Sequence, residues 1–130
     1  MGITTGMRID RTPLPRVVHL ELHTPDRAGA SAFYSQLLGW QPEVIRAESG
    51  CYLALDLAEG LGGGIVECGT RRPLWLPYVA VDGVDEATER AGRLGADILL
   101  EPHEGPSGRR SVLSSGCAGD VALWEQRRRP

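Results

Sequence analysis

The segment VVHLELHTPD, Val17 to Asp26, joins two kinds of local structure within ten residues. Apolar and polar side chains alternate from Val18 to His23, and a period of two predicts a strand with one apolar and one polar face. The next residues, 24–26, supply a capping hydroxyl, a proline for a first helical turn and an acid near the positive helix end. The segment therefore predicts a strand followed directly by a helix.

The rest of the first half continues this pattern. A helix is predicted over DRAGASAFYSQLLG, residues 26–39, with Phe33 and Leu37 on its buried side and Gly39 as its stop. Short strands should follow, with EGLGGG (59–64) as a flexible turn before the last of them. The predicted strands are WQPEVIR (40–46), CYLALDL (51–57) and GIVECG (64–69).

The second half repeats the same order of elements. A strand LWLPYVAV (74–81) precedes a helix VDEATERAGRLG (84–95), which should bury a stripe of small and apolar residues and stop at Gly95. The predicted stripe is Val84, Ala87, Ala91 and Leu94. Strands ADILLEP (96–102), RRSVLSS (109–115) and VALWEQ (121–126) complete the half. Each half is β-α-β-β-β, so the sequence predicts an α+β fold built from two similar units.

Composition fits one compact domain of 130 residues with 42% hydrophobic and 24% charged side chains. The formal net charge of −3 gives no electrostatic reason to expect nucleic acid or an anionic membrane as a partner. Three cysteines without C-x-x-C spacing argue against a disulfide framework or a zinc ribbon and favour a cytoplasmic location. Residues 1–15 are expected to form a flexible arm, and 127–130 a solvated basic tail.

The order of elements and several sequence segments resemble the vicinal oxygen chelate superfamily of glyoxalase I, bleomycin-resistance proteins and extradiol dioxygenases. The matching segments are VHLEL (18–22), TPDRAGASAFYSQLLGW (24–40), YLALDL (52–57), GLGGGIV (60–66), LPYVAVDGVDEATERAGRLGADIL (76–99) and VALWE (121–125). The resemblance implies a small single-domain member spanning 16–126, with paired units at 16–70 and 74–126. Its two sheet halves should form a cup-shaped, partly closed sheet.

The resemblance also implies where a metal would be held. Where members carry a metal, its ligands come from the first and last strands of each unit, which here fall on His19, at or near Glu67, on Tyr78 and on Ala122 or Leu123. Phenol is a rare ligand, and neither Ala122 nor Leu123 can chelate. We therefore expect no resident cofactor. The alternative is a divalent zinc, nickel, iron or manganese ion held by His19 and Glu67.

The polar face of the first strand carries the main candidate residues. His19 and Glu21 should face the cup, whereas His23 is expected to be an exposed residue at the strand end. Glu21 is either a general base whose pKa is raised by burial or the partner of an arginine. The full set of predicted ligand-binding residues is His19, Glu21, Tyr52, Glu67, Tyr78, Trp40, Trp75 and Trp124.

These features leave three functions open. The first is a binding protein for an apolar or aromatic small molecule, such as an antibiotic or a natural-product intermediate. The second is a lyase, isomerase or dioxygenase that uses either the divalent metal or metal-free acid–base chemistry, with Glu21 and His19 as catalytic residues. The third is a subunit or regulatory partner with a vestigial cup. The family resemblance implies a homodimer in each case.

Overall fold

The computed structural model describes residues 14–47, 50–105 and 108–126, which form eight strands and two helices. The first unit contains β1 (Arg16–Thr24), α1 (Arg27–Leu38), β2 (Glu43–Ala47), β3 (Gly50–Ala58) and β4 (Leu61–Glu67). The second contains β5 (Leu74–Ala80), α2 (Val84–Arg93), β6 (Asp97–Glu104), β7 (Gly108–Ser115) and β8 (Gly119–Gln126). The predicted repeat of β-α-β-β-β is confirmed. The tail at 127–130 and most of the arm, residues 1–13, lie outside the described residues.

All eight strands belong to one mixed sheet in the order β2-β3-β4-β1-β5-β8-β7-β6. Within each unit the first and last strands are parallel, β1 with β4 and β5 with β8. The two units join where β1 and β5 pair antiparallel, and this pairing sets His19 directly opposite Tyr78. The centre of the sheet is thus built from the first and last strands of both units.

The two faces of this sheet have different neighbours. The helix face carries Leu22 and Ile65, which pack with Ala30 and Tyr34 of α1. On the same face Ser111 lies 2.7 Å from the hydroxyl of Thr88 in α2. Because side chains alternate along a strand, Glu21, Tyr78 and Ala122 lie on the other face, here called the open face. Tyr78 and Ala122 are nevertheless buried, together with Leu76. The sheet therefore curves around the middle of the open face.

The N-cap of helix α1 lies two residues later than the sequence suggests. Asp26, not Thr24, is the N-cap, and its carboxylate accepts a hydrogen bond from the amide of Gly29 at 2.9 Å. The Thr24 hydroxyl instead accepts from the amide of Asp26 at 3.1 Å. The stop is confirmed, since Gly39 adopts the left-handed conformation with φ of 76°.

The prediction that α1 buries Phe33 and Leu37 is wrong. Their exposed fractions are 56% and 62%, and no residue of α1 is fully buried. Ala30 and Tyr34 occupy the side of the helix that meets the sheet, because a small residue at position 30 lets the helix approach at that point. Phe33 and Leu37 are therefore turned away from the sheet.

Helix α2 follows the prediction more closely. Val84 is fully buried, and Thr88 is buried one turn further along, where its hydroxyl also donates to the carbonyl of Val84. Burial of Leu94 is wrong: it is 82% exposed, because the helix ends at Arg93 and Leu94 is the C-cap. Gly95 follows with φ of 100° and ends the helix as predicted. Neither helix in the described part of the chain has the length and apolar character needed to span a membrane.

The predicted turn at 59–64 is confirmed only for Glu59 and Gly60, where Gly60 has φ of 78°, and the glycines after it belong to a strand. Strand β4 begins at Leu61, so Gly62, Gly63 and Gly64 are paired with β1. A Cβ atom at Gly63 would lie 2.6 Å from Cδ1 of Leu57 and 3.0 Å from the carbonyl oxygen of Leu20. Glycine is present because the neighbouring strands leave no room for a side chain.

Candidate functional site

Glu21 is the centre of a hydrogen-bonded cluster on the open face. Its Oε1 lies 2.9 Å from Nε2 of His23 and accepts a 2.9 Å hydrogen bond from the hydroxyl of Tyr78. Its Oε2 lies 3.4 Å from Nε2 of His19. The Glu21 side chain is 16% exposed. Three side-chain donors thus surround one largely buried carboxylate.

The ionised carboxylate decides which ring nitrogen of each histidine carries a proton. A carboxylate only accepts hydrogen bonds, so Nε2 of His19 and Nε2 of His23 must be protonated to bond to Glu21. In the neutral imidazole, Nδ1 is then the acceptor. For His19 this acceptor lies beside Gly62, where an added Cβ would come within 3.3 Å of it.

Tyr78 links Glu21 to a cation on β7. Arg110 donates from Nη1 to the hydroxyl of Tyr78, and its guanidinium carbon lies 5.9 Å from the centre of the Tyr78 ring. The ring of His19 meets that of Tyr78 edge-on, with centroids 5.1 Å apart. A positive guanidinium, a neutral phenol and a negative carboxylate therefore form a continuous chain.

This environment shifts the pKa values of Glu21 and Tyr78 in opposite directions. Burial alone would raise the pKa of Glu21, but the hydrogen bonds from His19, His23 and Tyr78 outweigh it and hold the pKa far below its ordinary value of 4.5. Burial, followed by the negative charge of Glu21, raises the pKa of Tyr78 well above 10, and Arg110 opposes this shift only in part. The expectation of a raised pKa at Glu21 is wrong, because the three donors stabilise the ionised carboxylate.

Comparison with known proteins places the chain among relatives about twice its length. No family model matches it. A protein of Mycobacterium bovis named as a glyoxylase, CFP32, is 26% identical in an alignment of 117 residues that covers 84% of this chain and 45% of the relative. The anthracycline biosynthesis protein DnrV of Streptomyces peucetius is 23% identical in an alignment of 124 residues that covers 82% of this chain and again 45% of the relative. The chain thus spans less than half the length of these relatives.

Solved structures share the fold. Methylmalonyl-CoA epimerase of Mycobacterium tuberculosis superposes with a TM-score of 0.59 at 14% identity, covering 86% of this chain and 88% of the other. The chain therefore has the fold that the resemblance to the vicinal oxygen chelate superfamily implies. The predicted α+β architecture is confirmed.

The residues of this chain do not fit the metal site that the resemblance to the superfamily implies. Glu67 is paired with Thr24, five residues beyond His19 along β1, or roughly 16 Å at the rise of a strand. Its Oε1 accepts a 2.9 Å hydrogen bond from the amide of Arg27, the first residue of α1. His19 and Glu67 therefore do not meet. In the described ranges, no group of three or more His, Cys, Asp or Glu side chains is placed to hold a metal ion.

The second unit repeats this helix cap. Oε1 of Glu125, at the end of β8, accepts from the amide of Val84, the first residue of α2, at 2.9 Å. The register also settles the last-strand positions: Gly62 lies beside His19, and Ala122 beside Tyr78. Both acidic residues near the expected ligand positions thus satisfy helix amides, and the positions beside His19 and Tyr78 hold residues without donor atoms.

The predicted aromatic residues fall into two groups. Trp124 packs with Tyr78 on the open face, and Cδ2 of Tyr52 lies 3.7 Å from the Cβ position of Gly64, close to Glu21. Trp40 and Trp75 instead lie on the helix face, where both contact Tyr34 with ring centroids 5.2 and 5.7 Å away. The structure does not bring these two tryptophans to the Glu21 cluster.

Sequence reasoning missed two members of the cluster. His23 was expected at an exposed strand end, but it is only partly exposed and bonds to Glu21. Arg110 was not singled out. In the structure Ser111 and Leu113 of β7 are buried, so alternation turns Arg110 and Val112 to the open face. The sequence carried no such signal, because Val112 and Leu113 are both apolar and do not show which face Arg110 occupies. Its partner Tyr78 could not be found without the order of the strands.

Proposed function

We propose that this chain is a small-molecule binding protein that uses the open face around Glu21, Tyr78 and Arg110, and that its ligand is a planar aromatic compound bearing oxygen atoms. The observation that carries the proposal is that three side-chain donors surround the carboxylate of Glu21. A carboxylate held in this way fixes the orientation of the side chains that donate to it.

The same observation argues against Glu21 as a catalytic base. A general base works best when its pKa lies near the operating pH. The donors around Glu21 hold its pKa far below that range, so the carboxylate is a weak proton acceptor. Tyr78, whose pKa is raised, is likewise a poor source of phenolate at neutral pH.

The cluster offers several groups to a ligand. A guanidinium has five N–H donors, and Arg110 uses one of them on Tyr78, which leaves donors for ligand oxygens. Trp124 is the cross-strand partner of Arg110, so an aromatic ring and a cation lie side by side. This combination suits a planar ring that carries carbonyl or phenol oxygens.

The names of the relatives support this class of ligand. DnrV of Streptomyces peucetius and DauV of another Streptomyces are named for anthracycline biosynthesis. A compound of that type, whether an antibiotic or an intermediate, is the ligand that we propose for this chain.

Tryptophan fluorescence tests the proposal with an anthracycline as the probe. We expect saturable quenching that is largely lost in Trp124→Phe, because only Trp124 of the three tryptophans lies beside Arg110. Glu21→Gln and Tyr78→Phe should each weaken binding about tenfold, the effect of one hydrogen bond near charge. The exposed residue Glu89 provides a matched control, Glu89→Gln. Absence of saturable quenching, or equal quenching in Trp124→Phe, would contradict the proposal.

A second candidate is metal-free proton transfer by His19. It is favoured by the hydrogen bond to Glu21, which orients the ring and leaves Nδ1 as the acceptor. Isomerase or lyase chemistry of this kind would exchange a carbon-bound proton of a bound carbonyl compound with deuterated water. Exchange that is abolished in His19→Ala, but retained in the equally conservative change His103→Ala, would favour the enzyme over the binding protein.

We also propose a homodimer, following the family resemblance. Sedimentation equilibrium of the purified chain measures the oligomeric state directly, and a mass of one chain across micromolar concentrations would exclude it.

A further inference from the structure

A second candidate binding site lies on the opposite side of the sheet from Glu21. A cavity of about 390 Å³ opens between the start of α1 and strands β1 and β5. Its inner wall includes Leu22, Tyr34 and Trp75, and its rim includes Phe33 and Asp26. A volume in the range of a few hundred cubic ångströms accommodates a small organic ligand.

The aromatic rings of this cavity are already positioned. Nε1 of Trp75 donates a 3.1 Å hydrogen bond to the hydroxyl of Tyr34, and the two rings meet at 69° with centroids 5.7 Å apart. The Tyr34 ring also meets that of Phe33 edge-on, at 5.1 Å. Phe33 is more than half exposed. A ligand in the cavity would cover it.

The charge at the rim is negative. Asp26 is the one charged residue among the side chains that line the described cavity. The helix start beside it already holds two carboxylates, since Asp26 accepts from Gly29 and Glu67 accepts from Arg27. An anion is thereby disfavoured at this helix end. Arg27 and Arg72 are each next to a lining residue in the sequence, but neither lines the cavity.

From the aromatic walls and the acidic rim, we propose that this cavity binds the ammonium group and ring of an apolar aromatic amine. The ring would occupy the space between Trp75 and Phe33, and the ammonium group would lie near Asp26. Aromatic ring faces and a carboxylate both attract a cation. This site is separate from the open face, so it does not depend on the function proposed above.

The test compares 2-naphthylmethylamine with its neutral counterpart 2-naphthylmethanol by titration calorimetry. We expect the amine to bind about fivefold more tightly than the alcohol. Asp26→Asn should bring this ratio close to one and leave the melting temperature nearly unchanged, because asparagine is an equally good N-cap. The control Asp97→Asn makes the same change of charge on exposed β6 and should leave the ratio as it is.

Indole N–H signals in a nitrogen–proton correlation spectrum locate the probe. The amine should shift the signal of Trp75 and leave that of Trp124 in place. Phe33→Ala should weaken both probes about fivefold, whereas Leu99→Ala, an exposed apolar residue of β6, should change neither. The proposal is overturned if the amine has no advantage, if the advantage survives in Asp26→Asn, or if Trp124 responds in place of Trp75.

Discussion

The hydroxyl of Tyr78 donates a 2.9 Å hydrogen bond to Glu21 and accepts one from Arg110. The phenol thus stands between a buried negative charge and a positive charge from a strand two places away in the sheet. Because burial and Glu21 raise its pKa, Tyr78 stays protonated and can act only as a neutral bridge. The site therefore keeps the negative charge of Glu21 and the positive charge of Arg110 in fixed positions.

Tyr78→Phe should raise the pKa of Glu21 toward its ordinary value of 4.5, because one of the three donors that stabilise the carboxylate is lost. Carbon-13 NMR of the side-chain carboxyl group, followed against pH, measures this pKa. Tyr52→Phe is the matched control, since Tyr52 lies on the same face and is more exposed. An unchanged pKa in Tyr78→Phe would show that the bridge contributes nothing to the carboxylate.

Stability should fall on acidification because of Glu21. Its pKa is lower in the folded chain than in the unfolded chain, so its contribution is fully present above about pH 5 and is lost as the pH falls through 4.5 and below. At pH 7 we expect Glu21→Gln to lower the free energy of unfolding by ~2 kcal/mol. The difference from wild type should shrink steadily toward pH 3. Urea unfolding at several pH values measures both quantities, and Glu89→Gln should show neither effect.

The element order was predictable because each boundary depends on nearby residues. The alternation in β1 and the glycines after both helices act within a few positions. The exposure of Phe33 was not predictable in the same way. An apolar residue on a helix has several candidate faces, and the small residue Ala30, by allowing close approach, decides which side meets the sheet.

The Glu21 cluster shows a similar division. The shared face of His19 and Glu21 follows from a period of two, and the pairing of His19 with Tyr78 was suggested by the repeat. Arg110 reaches Tyr78 only because β8 and β7 follow β5 in the sheet. The pKa of Glu21 depends on burial, on His19 and His23 of the same strand and on Tyr78 of β5. Burial acts against the three donors, so the sequence alone left the sign of the shift open.

Gly63→Ala should destabilise the fold by ~1–3 kcal/mol, the usual range for overpacking. The added methyl group would lie 2.6 Å from Leu57 and 3.0 Å from the backbone of Leu20, which cannot move away without distorting β1. Gly116→Ala is the control, because a Cβ there meets no atom within 4 Å. Thermal unfolding of both variants gives the comparison. Equal melting temperatures would mean that the strands separate readily at this point.

The two helix caps provide the test that separates a structural role for Glu67 from a metal-binding one. Glu67→Ala and Glu125→Ala each leave a helix amide without its acceptor, so each should lower the free energy of unfolding by ~1 kcal/mol. Glutamine has an amide oxygen that can accept the same hydrogen bond, so Glu67→Gln should restore most of the loss.

A metal ligand would behave differently: glutamine would not rescue it, and the wild-type melting temperature would fall when a chelator is added. Unfolding of the alanine and glutamine variants, with and without chelator, therefore distinguishes the two roles. Because the two units repeat one arrangement, the Glu67 and Glu125 variants should lose similar amounts of stability. A chelator effect that disappears in the Glu67 variants but persists in the Glu125 variants would contradict the capping role of Glu67.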